Sequence, residues 1–238
     1  MNSHNLVSQR LVENEKNYNP DMCNSYRRYD EKFIHTKAYM HYAGQIRKLT
    51  EDFRRPISVL DVGCGTGRYF HALRNLQSLT GIDVSPNMLA QAQDPFQRGA
   101  IPLQHIELIQ GNFYDYNFGG QQFDFIYSVG VLGEHTVFDQ HICDKLHGLL
   151  KDNGRLFFTN VDIEPRKNLK RKSAEAVYPL MPESMKRIFD KRWQTCYMTY
   201  RQLDEVMKQG MFSSYQISRY VSEDPSWKGV HLDCFAAK

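Results

Sequence analysis

Between Val59 and Phe70 the chain reads VLDVGCGTGRYF, with glycines at 63, 65 and 67. Side chains given up at three alternate positions directly after an apolar run mark a backbone that turns sharply or lets another group come very close. This stretch constrains the fold more than any other, because what surrounds it has the rhythm of a parallel sheet.

From Ile57 onward, short apolar runs alternate with longer amphipathic ones. Strands are expected at 57–63, 79–85, 106–112, 123–132 and 155–161. Helices are expected from about Thr66 to Leu76, from Ser85 as N-cap with Pro86 at the first helical position, and through FDQHICDKLHGLLKDNG to a stop at Gly154. TYRQLDEVMKQG reads as a further helix, and MFSSYQISRYVS with VHLDCFAAK as a closing pair of strands. The expected fold is α/β: a Rossmann-like, seven-stranded, mostly parallel sheet with helices on both faces. Residues 1–55 are expected to form an N-terminal helical cap and 56–238 the main domain. Residues 162–197, with nine Lys and Arg against five acids, are read as a substrate-cap insertion after the fifth strand.

A strand that ends in Gly-x-Gly-x-Gly and turns into a helix would aim backbone N–H groups and a positive helix end at the carboxyl edge of the sheet, where open α/β sheets bind ligands. The second expected strand ends in Asp83, and a carboxylate there can accept hydrogen bonds from the two hydroxyls of a ribose. The dinucleotide fingerprint would place its third glycine at 68, but residue 68 is Arg; the phosphate loop fails too, because no Gly-Lys-Ser/Thr follows.

LDVGCGTG resembles motif I of the class I S-adenosylmethionine-dependent methyltransferases, and the likeness continues through GIDVS, GNFYDY, FDFIYSVGVL and LLKDNGRLFFT, over roughly residues 56–162. The resemblance implies S-adenosylmethionine as cofactor, with Gly63, Gly65 and Gly67 lending backbone to it and Asp61 serving its ammonium. It implies Asp83 on the ribose hydroxyls, Val84 and Phe113 beside the adenine, Asn112 at the adenine edge, and the main chain near Ser128 on the methionine end. Met88 in the next helix and Tyr29 in the N-terminal aromatic cluster complete the expected cofactor contacts.

GVLGEHTVFD brings Glu134 and His135 to the edge where the methyl group would point. Histidine near neutrality suits a general base, and glutamate suits holding a substrate cation. The alternative is that Glu134 caps the following helix and His135 packs beneath the loop. The pair is similar to that of quinone-pathway and other small-molecule methyltransferases, some of which bind magnesium through another glutamate. That position is Val131 here, so no metal is expected.

The expected reaction is methyl transfer to oxygen, nitrogen or carbon of a small molecule. No Asn-Pro-Pro-Tyr or Asp-Pro-Pro-Tyr follows the fourth strand, and a formal charge of +3 is too small to imply a nucleic-acid binder. The rivals are an RNA methyltransferase gripping through the basic run at 166–172, and a non-catalytic cofactor-binding partner protein. Scattered cysteines at 23, 64, 143, 196 and 234, the absence of a signal-peptide pattern and the absence of a long apolar run point to a cytoplasmic protein without a membrane span, monomeric or homodimeric. Cys64 is read as a small loop filler.

Overall fold

The computed structural model describes residues 19–101, 106–166, 177–186, 196–224 and 227–238. Seven strands form one sheet: β1 (Ile57–Val62), β2 (Leu76–Asp83), β3 (Glu107–Gln110), β4 (Phe123–Ser128), β5 (Leu150–Val161), β6 (Ser214–Ser222) and β7 (Gly229–Ala237). Their order is β3-β2-β1-β4-β5-β7-β6, with β7 antiparallel to both neighbours and every other pairing parallel. The order reverses between β1 and β4, so the crevice at their carboxyl ends is the place where an open sheet receives a ligand.

Side chains alternate across β1. Ile57 and Val59 join a core with Tyr42 and Ile46 of α2 (Lys37–Glu51) and with Leu89 and Ala92 of α3 (Pro86–Ala92). Leu60 and Val62 face the opposite core, with Ile142 and Leu146 of α4 (Gln140–Leu149) and Leu203 and Met207 of α5 (Tyr200–Gln209). The helices on both faces thus cover a doubly apolar sheet. In α2 the buried positions Tyr39, Tyr42, Ala43 and Ile46 recur at three- and four-residue steps, which lays one stripe on the sheet. Ahead of it, α1 (Pro20–Phe33) starts at Asn19, whose side chain accepts from the Met22 N–H. Ser85 caps α3 through the Met88 N–H, and Pro86 opens the helix, as expected.

Two expectations fail. No α-helix follows the glycine loop: the chain turns from 65 to 69, makes a single 3-10 turn at Phe70–Ala72 and enters β2 at Leu76, earlier than the expected 79. Gly67 stands at φ 74, which a right-handed helix cannot accommodate, and Arg68 and Tyr69 are drawn to partners elsewhere. Second, α4 ends at Leu149 rather than at Gly154. Leu150 already pairs with Phe123, and residues between 150 and 155 bulge out of register. Asn153 is left-handed at φ 62, and a Cβ at Gly154 would lie 2.7 Å from the Lys151 carbonyl oxygen, so the glycine serves the bulge and not a helix end.

In the 162–197 stretch the described parts are a 3-10 turn at Glu164–Arg166, another at Tyr178–Leu180, and a bridge from Asp162 to Met198. Met185 and Leu180 are exposed. The rest of the basic run lies outside the described residues.

Candidate functional site

The carboxyl ends of β1, β2 and β4 open into a cavity of about 690 Å³. Asp61, the penultimate residue of β1, reaches it while only 4% exposed. Burial pushes its carboxyl up to about 8; the Tyr127 hydroxyl beside it pulls the other way, and the charge of Asp83 adds to the rise. Asp83 ends β2 on the same wall. Its Oδ2 accepts from the Gly65 N–H at 2.9 Å and its Oδ1 from the Ser85 N–H at 2.9 Å, so this carboxylate also shapes the glycine loop. Burial raises its pKa, opposed by those backbone donors.

The glycines serve different ends. At Gly63, with φ 73, a Cβ would fall 2.5 Å from Val131 Cγ2, so the residue lets the β4 loop close against β1. Gly65, with φ 53, has no protein atom within 4 Å of its Cβ position and faces open cavity. Gly67 lies behind the wall, where a Cβ would meet Phe70 and Pro95. Cys64 packs on Gly81 as a filler, with its thiol raised by burial.

Val84, Met88, Asn112 and Phe113 line the end of the cavity nearest β2 and β3. The Asn112 amide is engaged at both ends, since its Oδ1 accepts from the Tyr114 N–H at 3.0 Å and its Nδ2 donates to Asp115 at 2.7 Å. Ser128 is fully buried, its hydroxyl donating to the Val62 carbonyl at 2.8 Å; Val129 and Gly130, next in the chain, reach the cavity instead.

Glu134 and His135 both face the cavity from a tight turn in which the N–H groups of 134, 135 and 136 converge on the Val131 carbonyl. Asp139, not Glu134, caps α4, and the His135 ring is exposed to the cavity rather than packed beneath the loop. Protein on most sides of that ring lowers its pKa, which favours the neutral imidazole.

The roof comes from α1, through Met22, Ser25, Tyr26 and Tyr29. Asp30, 1% exposed on that helix, ion-pairs with Arg68 Nε and accepts from the Thr66 hydroxyl at 2.5 Å. Arg68 also lies 5.9 Å from the centroid of Trp227. Trp227, His231, Tyr197 and Val161 form the far wall beside β5. None of these four is singled out by the sequence: Tyr197, Trp227 and His231 lie beyond the stretch that carries the family likeness, and Val161 stands at its very end. Among the described residues no group of three His, Cys, Asp or Glu is placed to hold a metal ion.

The carboxyl groups of Asp61 and Asp83, the open space above Gly65 and the apolar rims at Val84 and Phe113 fit an adenosine that carries a cationic amino-acid tail. A family model described as a methyltransferase domain matches residues 59–154. The matched residues run from β1 into β5 and take in the glycine loop, Asp83 and the turn that carries Glu134 and His135. An uncharacterized methyltransferase of Schizosaccharomyces pombe is 31% identical over 112 residues, covering 44% of this chain and 39% of that protein, so the match spans about two fifths of its relative. Among solved structures, the plantazolicin methyltransferase BpumL, in complex with a substrate analogue and S-adenosylhomocysteine, is similar at TM-score 0.62 with 15% identity, over 99% of this chain and 97% of that one. The N-methyltransferase NodS from Bradyrhizobium japonicum, also in complex with S-adenosylhomocysteine, is similar at 0.59 with 14% identity, over 100% and 99%. At such identities the two structures speak for the fold.

Proposed function

We propose that this protein is an enzyme that transfers the methyl group of S-adenosylmethionine to oxygen, nitrogen or carbon of a small molecule. The observation that carries the reading is the pair of carboxyl groups of the buried Asp61 and the partly buried Asp83, flanking the glycine loop at one end of a cavity whose other end holds Glu134 and His135. In this reading Asp83 accepts from the ribose hydroxyls and Asp61 faces the ammonium. The backbone of the Gly63–Gly67 loop and of the residues after Ser128 lines the methionine. Val84, Met88 and Phe113 pack on the adenine, and Asn112 offers its edge the remaining lone pair of its amide oxygen. Tyr29 closes the roof. Methyl transfer is an in-line displacement, so the chain chiefly holds the nucleophile against the methyl carbon, with Glu134 and His135 facing it at the same end of the cavity.

The substrate is read as small because BpumL and NodS, named for methylation of a natural product and of nitrogen, share the architecture over nearly their whole lengths. Residues 1–55 act as the cap over the cofactor and 162–197 as the cap over the substrate. No helix among the described residues is long and apolar enough to cross a membrane, and the five cysteines are buried and joined by no disulfide; we place the protein in the cytoplasm, as a monomer or homodimer. Calorimetry with S-adenosylmethionine and S-adenosylhomocysteine, followed by incubation of the labelled cofactor with fractionated cell extract, tests the reading. Micromolar binding that Asp83→Ala weakens at least tenfold, with label in the small-molecule fraction, is the expected result. Label in RNA alone would replace the substrate, and no binding would end the proposal.

A further inference from the structure

His231 lies near the start of β7, opposite Val161 of β5 and Tyr220 of β6, at the carboxyl edge of β5. It is 6% exposed, and what it does expose opens into the cavity that holds Glu134. Its Nε2 is 2.9 Å from the Trp227 carbonyl oxygen. A carbonyl only accepts, so in the neutral ring Nε2 carries the proton and Nδ1 carries the lone pair. The ring plane is held as well: it stacks on Trp227 at 5.8 Å and 26° and meets Tyr42 edge-on at 6.4 Å and 74°. Among the described residues, Tyr42 on α2 and Tyr220 on β6 bring their rings within 6.5 Å of it, His41 of α2 stacks on Tyr220 and pairs with Asp233 of β7, and Lys228 in the preceding loop and Glu134 line the same cavity. His135, by contrast, sits on a turn, and no side chain among the described residues hydrogen-bonds its ring.

We infer that His231 is the proton acceptor for the incoming nucleophile, oriented by the Trp227 carbonyl, with Glu134 and His135 holding the substrate. The inference rests on the reading of the cavity as a methyl-transfer site. An oxygen or nitrogen nucleophile bonds to the sulfonium methyl carbon, the carbon–sulfur electron pair stays on sulfur, and the nucleophile's proton passes to Nδ1. The resulting imidazolium then returns that proton to water. A tautomer fixed from behind by a carbonyl, on a rigid strand, is what a base needs to meet each substrate in the same state.

S-adenosylmethionine and S-adenosylhomocysteine differ at the reacting centre by one positive charge, so each histidine of the full chain can be titrated by NMR in both complexes. A base that faces the sulfonium titrates about one pH unit lower with S-adenosylmethionine than with S-adenosylhomocysteine, whereas His141 on α4, beside Tyr114, titrates alike in both. Equal titration of His231 in the two complexes overturns the inference while leaving cofactor binding intact. Failure of either ligand to bind overturns the site reading itself. His231→Gln sets an amide N–H near the place of Nε2 and so retains a donor for the Trp227 carbonyl. With the acceptor fraction as substrate, it should lower kcat about 100-fold, leave KM for S-adenosylmethionine within twofold, and abolish the acidic limb of the pH–rate profile. A wild-type kcat with that limb intact would equally overturn it.

Discussion

Arg68 in the glycine loop ion-pairs with Asp30 on α1, a residue with almost no exposure, and so pins the helical roof to the loop beneath the cavity. Removing one partner leaves a buried charge without its complement, which costs about 3–5 kcal/mol, whereas removing both costs less. Arg68→Ala and Asp30→Ala should each lower Tm by several degrees and weaken cofactor binding. The double variant should recover part of the loss in a thermal-denaturation cycle; strict additivity would mean that the pair does not couple roof and loop.

Asp61 gives the cofactor-free protein a defined response to pH. Its folded pKa of about 8 lies above the ordinary 3.8, so the folded state holds a proton that the unfolded state has lost between those values. The stability it contributes is complete below about 4 and is lost as pH rises toward 8. An ammonium favours the ionised form, so binding of S-adenosylmethionine should release a proton below pH 8 and tighten as pH rises from 6 to 8. Calorimetry in buffers of different ionisation enthalpy reads that proton, and Asp61→Asn should abolish the dependence.

Gly63 and Gly65 both have left-handed backbone, yet their alanine variants should fail differently. Gly63→Ala sets a methyl group against Val131 and should destabilise the fold by about 2 kcal/mol or more. Gly65→Ala meets no protein atom, so its loss of stability is about 1–2 kcal/mol of backbone strain, while its methyl group enters the cofactor's space. Paired denaturation and binding curves should show the larger stability loss at 63 and, relative to stability, the larger affinity loss at 65.

Glu134→Gln and His135→Ala remove groups that face the cavity from a turn in which backbone hydrogen bonds converge on the Val131 carbonyl. Both should fold normally, bind S-adenosylmethionine within about threefold of wild type, and lose tenfold or more in turnover on the labelled acceptor. Wild-type rates in both would reduce the turn to a spacer.

The sheet and the cavity-facing carboxyl groups are legible because local patterns encode them. Apolar runs mark β1 and β4, and Asp61 and Asp83 sit at fixed places within motifs that end strands. The helix expected after the glycine loop misled for a local reason as well: TGRYFHALRNL has helical composition, but Gly67 takes a backbone angle that no composition reports. Arg68 was noticed only as an obstacle to a dinucleotide fingerprint. Its partner lies 38 residues away, and such a pairing leaves no periodic trace in the chain. His231 and Trp227 escaped notice for a related reason. They stand in and before a strand whose only visible signal was its β pattern, and antiparallel insertion of β7 beside β5 is what carries them to the cavity.

The missing helix also governs which nucleotides the crevice can admit. Where a helix begins at the glycine loop, its dipole draws phosphates; here the chain turns without forming one. A di- or triphosphate entering the loop would meet the Asp83 carboxylate, would leave Asp61 protonated, and would find no macrodipole to offset that repulsion. An adenosine whose tail carries sulfonium and ammonium charges meets attraction at both, so discrimination against the far more abundant phosphorylated nucleotides of a cell is built into the backbone itself.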